Sequence, residues 1–94
     1  MKHVIKVNRY CTVNMVHYLG AGVHGTCIVD QDGRHRHAQI AIKYDTPEEM
    51  RKTLDHELFH MSEQFLESGL QSETVATIHE QTCNACRQRL DWYR

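Results

Sequence analysis

The sequence predicts an α+β fold, a small and mostly antiparallel sheet followed by two long helices. Three observations carry that expectation. Up to Tyr44, β-branched and aromatic residues recur in partial alternation with polar ones. At Thr46-Pro47 the pattern switches to helical spacing behind an explicit start signal. Ser68-Gly69 then interrupts a second half that is otherwise continuously helical in pattern.

Taken in order, Val4 to Tyr10 and Thr12 to Leu19 read as strands, and Gly20, Gly22 and Gly25 break the pattern after them. Thr26 to Asp30 reads as a third strand, followed by Gln31-Asp32-Gly33, whose Asp-Gly pair suits a tight hairpin turn. The returning strand is the clearest in the chain. It sets Ala38, Ile40, Ile42 and Tyr44 on one face and His37, Gln39, Ala41 and Lys43 on the other. Because it leads through Asp45-Thr46 straight into a helix, the strand His37 to Tyr44 is expected at the sheet edge, as one wall of a cleft. An edge strand offers unpaired backbone groups to an extended peptide.

The first helix is predicted from Pro47 to about Glu67, with Thr46 as N-cap, Pro47 at the first helical position and Glu49 completing a capping box. Met50, Leu54, Leu58, Met61 and Phe65 form its apolar stripe. The second helix is expected after Ser72, which can cap Glu73, and to continue to the last residues with Val75, Ile78, Ala85 and Tyr93 along one side. The Trp92-Tyr93 pair is expected to pack its end down.

Composition sets the outer limits. The chain has 94 residues, 40% of them hydrophobic and 24% charged, which fits one globular domain over 1–94 with a modest core. A formal net charge of −1 with interspersed signs excludes the basic footprint of a nucleic-acid binder. The apolar runs are too short for a bilayer, so no membrane partner is expected. The opening Met1-Lys2-His3-Val4-Ile5-Lys6 has neither the apolar stretch nor the small-residue cleavage site of a secretory signal. The chain therefore reads as cytoplasmic, and its four cysteines as reduced thiols.

The chemistry lies in His56-Glu57-Leu58-Phe59-His60. Histidines at i and i+4 leave a helix from the same face, so both imidazoles reach one metal ion. Glu57 follows at about 100° around the axis, beside the metal rather than on it, where a general base can take a proton from the attacking water. A catalytic zinc has three protein ligands and keeps one position open. Glu73, His79, Glu80 and the Cys83/Cys86 pair are the candidates for the third. The step from His60 to Gly69 is about 14 Å at 1.5 Å per residue. A second helix folding back after a short turn returns to that height about ten residues on, which favours Glu80 over Glu73. His79 has the right height but a direction about 100° away from Glu80.

These residues resemble a gluzincin, the HExxH peptidase class with a glutamate ligand on a following helix. The resemblance runs from about Thr26 to Cys86. It takes in the hairpin, Pro47-Glu48-Glu49 opening the helix, Thr53-Leu54-Asp55-His56-Glu57-Leu58-Phe59-His60, then Ser68-Gly69-Leu70 and a second acidic helix. Short proteins of this layout are similar to the minimal metallopeptidase-like domains common in phages and mobile elements. The twenty-residue step from His60 to Glu80 is similar to that in thermolysin-like enzymes. Met61 stands where those enzymes have a small residue, and His79 where they have Asn. The resemblance implies one zinc per chain on His56, His60 and Glu80, Glu57 as catalytic base, and a peptide or protein substrate. The alternative is a non-catalytic, zinc-stabilised binding module or inhibitor.

Other residues have smaller expectations. Cys83-Asn84-Ala85-Cys86, with Cys11 and Cys27, reads as buried thiols rather than a four-cysteine zinc site. Arg34-His35-Arg36-His37 is either an anion patch or a solvated strand start. Glu63 and Glu67 share the histidine face as possible partners for the imidazoles, and Thr53 sits one turn before His56.

Overall fold

The computed structural model describes residues 3–30 and 36–94. The Asp32-Gly33 turn and the Arg34-His35 half of the basic stretch lie outside those residues. The chain runs β1 (His3–Asn8), β2 (Cys11–Val16), β3 (Gly25–Asp30), β4 (His37–Lys43), α1 (Pro47–Glu67) and α2 (Ser72–Arg89), and ends in a 3-10 turn at Asp91–Tyr93. The two helices cover one face of a four-stranded sheet, which makes an α+β sandwich of two layers.

Two expectations about the sheet are corrected. Its order is β1-β2-β4-β3, so β4 is interior, paired with β2 on one side and β3 on the other. The edge beside α1 is β3. The sheet is also mixed rather than mostly antiparallel, because the central β2–β4 pairing is parallel. Both errors have one cause. Side-chain alternation reports which face of a sheet a residue occupies and carries no information about which strands lie alongside. Residues 17–24 carry the chain from β2 past two strand spacings, about 10 Å, before β3 begins. The hairpin then returns β4 into the gap. Gly20 and Gly22 turn this segment at φ of 118° and 74°, values that side chains rarely tolerate.

Val13, Met15, Ala38, Ile40 and Ile42 point from the sheet into the core and meet Leu54, Leu58, Met61 and Phe65 of α1, all at most 1% exposed. Helix α1 begins and ends where its signals stand. Thr46 Oγ1 accepts from the Glu49 N–H at 3.3 Å. The reciprocal half of the capping box is replaced, since the Thr46 N–H donates to Asp45 Oδ1 at 2.7 Å while Glu49 pairs with Lys52. At the far end Gly69, at φ 100°, closes a Schellman turn in which Leu70 N–H donates to the Phe65 carbonyl and Gly69 N–H to that of Leu66.

Helix α2 is capped by Gln71 rather than Ser72, and no side chain bonds at that cap. It stops at Arg89 instead of reaching the chain end. Leu90 leaves the helix at φ −112°, ψ 107°, and the 3-10 turn then buries Tyr93, whose hydroxyl donates to Asp55 Oδ1. No helix among the described residues is long and apolar enough to cross a membrane.

The described part of the basic stretch is structural. His37 Nδ1 donates to the Arg9 carbonyl at 2.9 Å, which leaves Nε2 to accept from Thr12 Oγ1 at 2.7 Å. Arg36 donates to the Ser68 carbonyl at 3.0 Å and ties the start of β4 to the end of α1.

Candidate functional site

The site lies at the middle of α1, on the side turned toward β3. Counting 100° per residue, Thr53, Glu57 and Gln64 fall about 60–100° from His56, between the histidine face and the core stripe. These are the residues that meet β3. Helix and strand advance together, with Glu57 beside Gly25 and Gln64 beside Cys27 and Val29. Seven helical residues and three extended ones both cover about 10 Å.

His56 and His60 form a pair. Their Nε2 atoms are 3.0 Å apart, with rings nearly perpendicular at 88°. His60 Nδ1 donates to Glu63 Oε1 at 3.0 Å, which fixes the tautomer and leaves the Nε2 lone pair facing His56. Two zinc–nitrogen bonds of about 2.05 Å at a tetrahedral angle separate the nitrogens by about 3.3 Å. As it stands the pair is a hydrogen bond in which His56 Nε2–H donates to His60 Nε2, and a zinc ion would have to displace that proton and open the pair by about 0.3 Å. Glu63, noted from sequence as a candidate partner, holds one imidazole.

Glu57 is 6% exposed and forms part of a pocket of ≈ 480 Å³ together with His24, Gly25, Lys52, Thr53 and His56. Gly25 makes the close approach of α1 possible. A Cβ there would lie 2.6 Å from Thr53 Cγ2, 3.1 Å from Glu57 Cγ and 3.3 Å from the Ala41 carbonyl. Gly25→Ala is expected to destabilise the protein by about 1–3 kcal/mol through this overpacking. Urea unfolding of the two proteins measures it. Cys27 projects toward the same carboxylate. Burial first, and then the Glu57 charge, push its thiol up to about 12, so it is a neutral thiol at physiological pH.

Glu80 does not join the pair. It is exposed on α2, and among the described residues no three His, Cys, Asp or Glu side chains converge as a metal-ligating group. Its neighbour His79 shows why. His79 Nδ1 meets Ser62 Oγ at 3.0 Å, and its Nε2 lies 3.5 Å from Cys83 Sγ. Ser62 is about 120–160° around α1 from the two histidines, so α2 packs on a flank turned away from them. His79 lies at the level of Ser62, near the height expected for a third ligand, but on the wrong side of α1. Glu73 is also remote, on a separate pocket with Tyr10 and Ile78.

The cysteines are free thiols, Cys11 and Cys86 buried and Cys27 and Cys83 half-buried. Burial pushes Cys86 up to about 12 and raises Cys11 and Cys83 as well. Cys11 and Cys86 belong to the buried core and Cys27 and Cys83 pack against it, which fits the packing reading.

His24 is the residue that sequence reasoning missed. Its only signal was its place at the end of a glycine-rich segment, one residue before the strand that lies along the HExxH helix. Its carbonyl accepts from Lys43 N–H at 2.9 Å, so its backbone is anchored, and the residue lines the pocket with His56 and Glu57. Comparisons with protein-family models, curated proteins and solved structures find no match to this chain, so its chemistry rests on its own residues.

Proposed function

We propose that the chain is a zinc-dependent peptide-bond hydrolase built on its HExxH segment. The observation that carries this reading is the 3.0 Å Nε2 pair of His56 and His60, oriented by Glu63, with the buried Glu57 carboxylate at the neighbouring pocket. His56 and His60 would hold one zinc. Glu80, the third ligand expected from sequence, is not gathered with them.

Bound zinc supplies a Lewis acid and lowers the pKa of water toward about 7. Glu57 accepts the proton of the attacking water and returns it to the leaving amine. Its burial keeps it within a confined geometry and away from bulk solvent. Peptide would lie along β3, the edge strand bordering the pocket, in place of the β4 wall expected from sequence. Lys52 and His24, on the pocket lining, would contact the chain that runs on from the scissile bond.

Chelation tests this directly. Stripping the metal is expected to reduce cleavage of a mixed peptide substrate at least about 10²-fold, and one equivalent of zinc per chain to restore it. Hydrolysis unaffected by complete metal removal would contradict the proposal.

The second reading is a non-catalytic, zinc-stabilised binding module. It is favoured by the interior position of β4, which removes the peptide-binding edge expected there. Zinc that raises thermal stability without any cleavage would select it.

A further inference from the structure

The β3 edge is open for only part of its length. Lys43 N–H bonds to the His24 carbonyl, and the antiparallel register with β4 continues from there. Alternate residues Thr26 and Ile28 therefore bond to β4, while Gly25, Cys27 and Val29 direct their N–H and C=O groups outward. Gln64 takes up two of these outward groups. Its Nε2 donates to the Cys27 carbonyl at 3.2 Å, and its Oε1 accepts from the Val29 N–H at 3.2 Å. A primary amide offers a donor and an acceptor side by side, so Gln64 makes the two bonds that the N–H and C=O of one residue in a neighbouring parallel strand would make. At the other end, Gly25 and the Cys27 N–H receive no side chain among the described residues.

We propose that Gln64 is a specificity-determining residue that closes the Val29 end of the β3 edge and confines a bound substrate to the first residues of a peptide with a free amino terminus. This rests on the hydrolase reading of the site. A peptide added antiparallel, the commoner pairing, points its N-terminus toward Val29 and its C-terminal direction past Gly25 into the pocket. It cannot continue beyond Cys27, because the next bonding positions are taken. Glu67, one helical turn after Gln64 on α1 and exposed, places negative charge at the closed end, where an ammonium group would lie. The substrate class is thus the unblocked N-terminal segment of a peptide, and the action is on chain ends rather than within long chains.

The test uses the zinc-supplemented full chain and three peptides of one sequence: with a free amino terminus, N-acetylated, and extended by four residues at the N-terminus. Equilibrium binding and mass-spectrometric mapping of the products are read for wild type, Gln64→Ala and Gln64→Met, the last of which keeps side-chain bulk without the hydrogen bonds. Amide hydrogen exchange at Val29 is followed in parallel. Wild type is expected to prefer the free terminus about tenfold, and both variants to lose most of that preference while the Val29 amide exchanges faster. Equal use of all three peptides by wild type, or a preference that survives in both variants, would overturn the proposal. So would variants that self-associate through β3 with the preference intact, since Gln64 would then only guard the edge. If no peptide binds while His56 and His60 still hold zinc, this inference fails and the metal assignment stands. If zinc binding fails too, both fall.

Discussion

Glu57→Gln is expected to retain the fold and the zinc yet to lower hydrolysis by about 10²–10⁴-fold, the usual worth of a general base. The amide matches the carboxylate in shape, so the Thr53, Gly25 and Glu57 contact between α1 and β3 is preserved. What is lost is the only function the proposal gives this side chain, accepting a proton. A buried carboxylate is otherwise an unfavourable choice at a position that is 6% exposed, and an amide there is no harder to accommodate. The variant should therefore be at least as stable as wild type. Steady-state cleavage alongside thermal unfolding checks both halves, and cleavage at the wild-type rate would remove Glu57 from the mechanism.

Leu58→Ala is expected to cost about 2–5 kcal/mol of stability. Leu58 is fully buried, between Glu57 and the turn that carries His60, and its face meets the Ile40 and Ile42 side of the sheet through the common core. In a domain of this size such a loss is a large part of the total stability. Denaturant midpoints measure it. Because the residue alternates in sequence with the site, the same substitution should loosen the histidine pair as well, which a parallel zinc titration would register as weaker binding.

Much of the molecule was legible in its sequence, and the illegible parts share a physical character. Both ends of helix α1 were readable because they are fixed by local chemistry: the Thr46 hydroxyl on the Glu49 N–H, and the positive φ of Gly69. The pairing of His56 with His60 and the partnership of Glu63 followed from helical periodicity alone. The strands were found from alternation, but their lateral order was not. Nothing in Ala38, Ile40 and Ile42 distinguishes an interior strand from an edge strand whose one face is buried. The rotation of α2 about α1 was illegible for a similar reason. It is settled by tertiary contacts such as His79 with Ser62 and Tyr93 with Asp55, which span 17 and 38 residues in sequence. His24 and Gln64 belong to the same class. Each acquires its place only when β3 is laid along α1.

The central claim is that His56 and His60 hold one metal ion. Zinc content and affinity of the purified chain, compared with the His56→Ala/His60→Ala double variant, test it most directly. The account predicts about one equivalent of zinc on the wild type, none on the double variant, and a rise in thermal stability with added zinc confined to the wild type. Stoichiometric zinc persisting in the double variant would contradict the account and move the metal to the cysteines.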